Sequence, residues 1–254
     1  MAEFFDKATL PDDFSDLGPA LASHLWRLFI AWKGSGNDEL NSAQVDVFAD
    51  TVGGFGVEGL SKKSLLRQTS EAGPALAADN GGTILVGWRG SGNENLNVAS
   101  GNLTDLDIPG TSSETSDIAP ALSWLDGGIY LAWKGAGNDN LNALAVVADP
   151  RQLQGIPAKP FGDASSHSPA LTSHAGRVFM AWKGSGNEEL NVATIEVDPS
   201  SPQGNLSVSG LGGKQGFPHD TTEQAPSLVS HQGHLIIAWK GAGNDNLNVA
   251  KVPV

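Results

Sequence analysis

The chain has 254 residues, no cysteine and a formal net charge of −13 at pH 7. The lack of cysteine excludes disulfides and thiolate metal sites, and the negative charge argues against nucleic acid or an anionic membrane surface as a partner. Charged residues make up only 17% of the chain, whereas Gly reaches 32 residues and Pro 14, a composition typical of many short strands and tight turns.

The N-terminal segment, Met-Ala-Glu-Phe-Phe-Asp, is acidic where a signal peptide would be basic. No apolar run approaches the roughly 20 residues that a membrane-spanning helix needs. We therefore expect a soluble protein without a leader, either cytoplasmic or released without one, and no membrane insertion.

A single phrase recurs five times along the chain and defines a repeat. Its first copy reads Phe29-Ile-Ala-Trp-Lys-Gly-Ser-Gly-Asn-Asp-Glu-Leu-Asn41, and the other copies occupy 85–97, 130–142, 179–191 and 236–248. The central tryptophans are about 45 to 57 residues apart, which is the length of a four-stranded propeller blade. The apolar runs show no helical period. The sequence therefore predicts an all-β, five-bladed β-propeller of four-stranded antiparallel blades, as a single domain over 1–254, with repeats centred on Trp32, Trp88, Trp133, Trp182 and Trp239.

Each unit can be divided into strands. A Pro-Ala-Leu segment, Pro-Ser-Leu in the last copy, is predicted to be the innermost strand, and the apolar run that ends in Trp-Lys or Trp-Arg is predicted to be the second. The Gly-Ser/Ala-Gly-Asn-acid stretch then turns the chain into a third strand. The fourth strand varies most, and the last unit lacks one.

The segment Phe5–Leu10 resembles the missing fourth strand. We expect it to pair with the C-terminal blade, which would hide a sheet edge and close the ring.

In a four-stranded blade, the turn between strands two and three shares a rim with the connection into the next blade. The turn repeats a cation, two Asn and an acid next to the Trp, which is more than a reversal of direction requires. Donors and acceptors beside an aromatic plane match a sugar ring with its hydroxyl groups. The predicted ligand-binding residues are Trp32, Lys33, Asn37, Asp38, Asn41, Trp88, Arg89, Asn93, Glu94, Asn97, Trp133, Lys134, Asn138, Asp139, Asn142, Trp182, Lys183, Asn187, Glu188, Asn191, Trp239, Lys240, Asn244, Asp245 and Asn248.

The same residues have structural explanations. The tryptophans could pack between blades, the cations could form solvated ion pairs, and the Asn side chains could cap their own turns. Calcium is an open alternative at the acid and its neighbouring Asn oxygens, although each turn offers only one or two carboxylates. The six histidines do not recur in register, so we predict no metal site, no cofactor and no catalytic residue.

The Pro-Ala-Leu and Ala-Trp-Lys-Gly segments resemble repeats of bacterial β-propeller proteins, and the five-fold plan is similar to that of tachylectin-2-like lectins. What the resemblance implies is glycan binding at up to five equivalent sites near the loops. We therefore expect a multivalent lectin that binds glycans or glycoconjugates and is not an enzyme. A protein-interaction scaffold is the alternative, followed by a glycoside hydrolase, for which no copy of the repeat offers a specialised pair of carboxylates.

Overall fold

The computed structural model describes residues 12–24, 27–49, 55–79, 81–102, 105–106, 109–147, 149–154, 156–198, 206–244 and 246–254. Within these ranges the chain forms antiparallel sheets that follow one another in sequence. The all-β, five-bladed propeller predicted from the repeat is confirmed.

The blades are built from short strands in chain order. Blade one contains β1 (Ala20–His24), β2 (Arg27–Lys33), β3 (Glu39–Ala49) and β4 (Phe55–Thr69). Blade two contains β5 (Ala75–Ala78), β6 (Ile84–Arg89), β7 (Asn95–Asn102), β8 (Asp105–Leu106) and β9 (Gly110–Thr115). Blade three contains β10 (Ala121–Leu125), β11 (Gly128–Lys134), β12 (Asn140–Val147) and β13 (Lys159–Ala164). Blade four contains β14 (Ala170–His174), β15 (Arg177–Lys183), β16 (Glu189–Val197) and β17 (Val208–Thr221), and blade five contains β18 (Ser227–His231), β19 (His234–Lys240) and β20 (Leu247–Lys251).

The repeated phrase forms the hairpin between the second and third strands of every blade. In each hairpin the Trp lies directly opposite the second Asn of the phrase, as Trp32 does with Asn41. The Pro-Ala-Leu segment begins the innermost strand, because proline lacks the N–H that a strand interior needs. The outer strand of blade two departs from the common plan, since β8 and β9 both pair with β7.

The hydrophobic core lies between neighbouring blades. Trp88 of blade two packs with Phe29 and Leu40 of blade one, and Trp182 of blade four packs with Tyr130 and Leu141 of blade three. The inner strands also contact one another in succession, from β1 through β5, β10 and β14 to β18. Blades two, three and four therefore each pack one sheet face against the blade before and the other face against the blade after.

Apolar side chains are exposed on the first and last blades. Leu247 of β20 is 86% exposed, whereas its equivalents in the other four blades are fully buried or nearly so. Val249 of the same strand and Leu21 of β1 are also exposed, at 70% and 59%. The predicted closing strand, Phe5–Leu10, lies outside the described residues.

Candidate functional site

Two features of the turn between the second and third strands recur in all five blades: a positive φ at its second Gly and a hydrogen bond to the side chain of its first Asn. Its second Gly has a positive φ, for example 75° at Gly36, and three of its acids do too, with Asp38 at 56°. The amide oxygen of the first Asn accepts a hydrogen bond from the backbone N–H two residues later, at 3.1 Å between Asn37 and Glu39. This local bond organises the turn without any ligand.

The second Asn of the phrase also bonds to its own backbone. Its side-chain amide donates to the carbonyl two residues earlier, at 3.2 Å from Asn41 to Glu39 and at 2.9 Å from Asn97 to Asn95. Equivalent bonds form in the other three blades. Of the repeated tryptophans, Trp32, Trp88, Trp133 and Trp182 are at most 5% exposed. Core packing and turn formation therefore account for much of the repetition, and the ligand-binding role of these residues stays a prediction.

The repeated cation is buried beneath the rim in blades one to four. Lys33, Arg89, Lys134 and Lys183 are at most 8% exposed. Such cations need compensating carboxylates. Two carboxylates are available to each of Lys33, Arg89 and Lys134. One belongs to the residue three positions before the Pro that precedes the inner strand, and the other belongs to the acid of the turn. Lys33 Nζ lies 2.9 Å from Asp16 and 3.0 Å from Asp38.

The same arrangement recurs around the ring. Arg89 bonds to Glu71 at 2.7 Å and to Glu94 at 3.0 Å. Lys134 bonds to Asp117 at 2.8 Å and lies 3.8 Å from Asp139. In blade five, Lys240 pairs with Glu223 at 3.3 Å.

The ion pairs lower the pKa values of three carboxylates that precede the inner strands. The hydrogen bond from Lys33 lowers the pKa of Asp16, and the hydrogen bond from Arg89 lowers the pKa of Glu71. Burial alone would raise the pKa of Asp117, but the bonds from Lys134 outweigh it and hold that pKa below its ordinary value. Asp16, Glu71 and Asp117 are therefore ionised at neutral pH and are unsuited to act as proton donors.

Neighbouring turns are joined by a second set of contacts. Asp139 of blade three accepts a hydrogen bond from Ser185 of blade four at 2.6 Å, and Asp38 of blade one accepts one from Ser91 of blade two at 3.4 Å. Around the ring, an Asp in one turn is followed by Ser in the next and a Glu is followed by Ala. Asp245, the turn acid of blade five, lies outside the described residues.

Blade one differs from the other copies because its turn borders a cleft of about 200 Å³. Three carboxylates line this cleft: Asp12 and Asp13, from the segment that enters the blade, and Glu39, at the start of β3. Trp32, Asn37 and Asn41 of the repeated phrase also line the cleft.

The equivalent positions of the other blades hold fewer acids. They are occupied by Arg67, Gln68 and Asn95 in blade two, by Ser113, Glu114 and Asn140 in blade three, by Gly162, Asp163 and Glu189 in blade four, and by His219, Asp220 and Asn246 in blade five. In blade four, Asp163 is paired with Lys214. The five-fold symmetry is therefore broken at blade one.

Another cavity, of about 460 Å³, is lined by Asn95, residues 109–113, Arg151 and Gln154 and has no carboxylate in its lining. Within the described residues, no group of three or more His, Cys, Asp or Glu is arranged to hold a metal ion. No helix in that part of the chain is long and apolar enough to cross a membrane.

The fold is similar to those of solved carbohydrate-active enzymes. An α-L-arabinanase from Penicillium chrysogenum, solved with arabinobiose, matches with a TM-score of 0.53 and 12% identity over 93% of this chain and 76% of its own. A GH43_1 enzyme from Xanthomonas citri, solved with xylose, matches with a TM-score of 0.52 and 14% identity over 92% and 85%. The RS223 β-xylosidase matches with a TM-score of 0.51 and 14% identity over 95% and 93%.

At these identities the similarity establishes the fold, and any chemistry has to be argued from this chain's own residues. Comparison with protein-family models gave no match, and neither did comparison with curated protein sequences.

The structural neighbours overturn two functional expectations from the sequence. We expected a lectin that is not an enzyme, because the five-fold plan is similar to that of lectins. The similar solved structures are instead glycosidases, so both expectations were wrong. Five near-identical turns made the chain look functionally symmetrical, whereas the asymmetry lies in the segment before each inner strand.

The sequence analysis also missed Asp12. A position-by-position comparison of the residues before each Pro-Ala-Leu segment contains the signal, because only blade one places two acids immediately before the residue equivalent to Phe14.

Proposed function

We propose that the chain is a glycoside hydrolase whose reaction centre is the blade-one cleft. The observation that carries the proposal is the convergence of Asp12, Asp13 and Glu39 on one concave surface. Hydrolysis of a glycosidic bond generally uses two carboxyl groups, one to protonate the leaving oxygen and one to attack the sugar or activate water. The similar solved structures named above, an arabinanase, a GH43_1 enzyme and a xylosidase, support this choice.

The three acids enter the cleft from two separate segments. Asp12 and Asp13 precede β1, whereas Glu39 follows the turn and pairs with Thr69 at the edge of the blade. Carboxylates that approach from separate segments can lie on opposite sides of a bound sugar. Glu39 is fixed on one side by its backbone N–H, which donates to Asn37 at 3.1 Å.

The size and lining of the cleft favour a single sugar unit. Its volume of about 200 Å³ is below the range of roughly 300–1,000 Å³ that is usual for drug-sized ligands. The indole of Trp32 supplies an apolar wall, and the amides of Asn37 and Asn41 lie beside it. Asn41 Nδ2 and Asn37 Oδ1 are committed to the turn, and Asn37 Nδ2 donates one hydrogen bond to Glu39 Oε2 at 3.5 Å. Asn41 Oδ1 and the second N–H of Asn37 Nδ2 are therefore the groups we assign to sugar hydroxyls.

The test is hydrolysis of a panel of 4-nitrophenyl glycosides, including α-L-arabinofuranoside and β-D-xyloside. Asp13→Asn and Glu39→Gln are each expected to reduce kcat/KM by about 10²–10⁴, the usual contribution of one acid or base group. Glu189→Gln, at the equivalent position of blade four, is the matched control and is expected to leave activity unchanged.

Substrates with poorer leaving groups assign the two roles. The variant that has lost the proton donor should slow most on these substrates, whereas the variant that has lost the base or nucleophile should slow equally on all of them. No hydrolysis across the panel, or equal losses in Glu39→Gln and Glu189→Gln, would refute the proposal.

A further inference from the structure

The ring of buried ion pairs is interrupted in blade four. At the position that holds Asp16, Glu71, Asp117 and Glu223 in the other blades, blade four has Ser166. Lys183 is nevertheless buried there, with only 6% of its surface exposed. Its ammonium donates to Ser166 Oγ at 3.2 Å, and within the described residues it has no ion-pair partner.

The backbone around this position is the same as in the other blades. Ser165 Oγ bonds to the carbonyl two residues later at 2.8 Å, as Ser70 Oγ and Ser116 Oγ do. Ser185 N–H donates to the preceding outer strand at 2.9 Å, as Ser91 does at 3.2 Å. The change from carboxylate to hydroxyl has therefore left the surrounding frame intact.

The carboxylate makes a second recurring contact in blades two, three and five. Its oxygen accepts a hydrogen bond from the N–H of the turn's second Gly, at 3.3 Å from Gly92, 3.4 Å from Gly137 and 3.1 Å from Gly243. Gly186 is the equivalent residue of blade four, and its φ of 84° lies close to that of Gly92, 77°. The same N–H therefore points toward the place where a carboxylate would lie.

Blade four thus retains both donors of a carboxylate site and lacks the carboxylate. We propose that this site, formed by Lys183, Ser166 and Gly186, binds the carboxylate of a small external ligand. Charge-assisted hydrogen bonds from an ammonium and a backbone N–H are the usual means of holding such a group. The site is separate from the blade-one cleft and does not depend on the function proposed for it.

The neighbouring charges are compatible with an anion. His167 lies beside Ser166, with its Nδ1 3.0 Å from Ser166 Oγ. Burial lowers the pKa of His167, the positive charge of Lys183 lowers it further, and Asp139 opposes both effects. Asp139 is itself bonded to Ser185 at 2.6 Å and lies 3.8 Å from Lys134, so its charge is partly compensated. Glu188 is the turn acid of the same blade and could compete with the ligand.

The repeat provides variants that test the site in both directions. Ser166→Asp restores the internal carboxylate and should block the ligand, whereas Lys183→Met removes the ammonium and keeps the buried stem. Asp117→Ser should create a second site of the same kind in blade three, since the Gly137 N–H would lose its acceptor and Lys134 would keep only Asp139, 3.8 Å away. Glu188→Gln should leave binding unchanged or strengthen it.

Binding is measured by titrating ¹⁵N-labelled protein with acetate, glucuronate and glucose in a low-chloride buffer while following the Gly186 amide resonance. We expect acetate and glucuronate to shift this resonance with millimolar affinity and glucose to have no effect. A tighter response to glucuronate would identify an acidic sugar as the ligand, and equal responses would identify recognition of the carboxylate alone.

Ser166→Asp and Lys183→Met should each weaken the response at least tenfold. Ser166→Asp should also raise the melting temperature by up to about 2–4 °C through the restored ion pair, which separates blocking from misfolding. Absence of any shift at Gly186, or an unchanged response in Ser166→Asp, would overturn the proposal.

Discussion

The most informative perturbation of the rim is the removal of one buried ammonium. Lys134→Met keeps most of the apolar stem of the side chain and deletes its charge. Asp117 then loses both hydrogen bonds from the ammonium, each 2.8 Å long, and Asp139 loses a cation 3.8 Å away. The two acids then keep only neutral donors, the Gly137 N–H at 3.4 Å from Asp117 and the Ser185 hydroxyl at 2.6 Å from Asp139.

The size of the effect follows from the exposure of the three groups. Loss of one partner of a fully buried pair costs about 3–5 kcal/mol, and an exposed pair contributes about 0–1 kcal/mol. The Lys134 side chain is 8% exposed, but Asp117 and Asp139 are 36% and 43% exposed, so water can hydrate both after the change. We therefore expect Lys134→Met to lower the free energy of unfolding by about 1–2 kcal/mol.

The contribution of the ion pair can be measured from the pH dependence of the free energy of unfolding. Because the pKa of Asp117 is lowered in the folded protein, its contribution is fully present above the ordinary value of 3.8 and is lost as the pH falls through the lower native pKa. Urea unfolding of the parent protein and Lys134→Met, from neutral pH to about pH 3, should show a difference that is largest at neutral pH and shrinks in acid.

Lys183→Met is the matched control, since Lys183 has no ion-pair partner among the described residues. Its effect on stability should not vary over the pH range in which Asp117 titrates, and any variation should be confined to the range in which His167 titrates, because the charge of Lys183 lowers the pKa of His167. A difference below about 0.5 kcal/mol for Lys134→Met, or equal pH profiles for the two variants, would refute the argument that buried pairs stabilise the rim.

Three further predictions concern the turns and the core. Asp139→Glu should cost about 0.5–1.5 kcal/mol by disturbing the bond to Ser185, and adding Ser185→Ala should recover part of that loss in a double-mutant cycle; simple additivity would argue against the pairing. Asn187→Ala should cost about 0.5–1.5 kcal/mol, because the Glu189 N–H loses its acceptor at 3.2 Å, and an unchanged urea midpoint would count against this role. Trp88→Ala should cost about 3–5 kcal/mol, since the indole is only 1% exposed between two blades; a smaller loss would mean that the neighbouring blades collapse onto the space.

The repeat allowed the architecture to be predicted because each blade uses the same local chemistry. Pro-Ala-Leu predicted the inner strands, and the phrase around Trp133 predicted a hairpin that the structure closes with Trp133 opposite Asn142. These features depend on residues near one another in sequence, which a single chain displays directly.

The candidate sites could not be predicted from the phrase itself. The blade-one cleft depends on Asp12 and Asp13, which lie 17 and 16 residues before the start of the phrase at Phe29 and meet Glu39 only through folding. The burial of Lys183 was equally hidden, because Lys is usually exposed and its depth is set by packing between blades. The resemblance to lectins predicted the five-bladed architecture correctly and the activity incorrectly, because one fold can host several functions.

The exposed face of blade five has a consequence for assembly. Leu247 and Val249 occupy positions that are buried against the following blade elsewhere in the ring, and Leu21 of blade one is exposed as well. A second molecule presents the same blade-one face, so closure within one chain competes with exchange between chains. Covalent linkage gives an intramolecular partner an effective concentration in the millimolar range, so we expect blade one of the same chain to outcompete that of a second molecule in dilute solution. At high protein concentration, we expect dimers and longer assemblies, in which blade five of one molecule packs on blade one of another, to compete with the monomer.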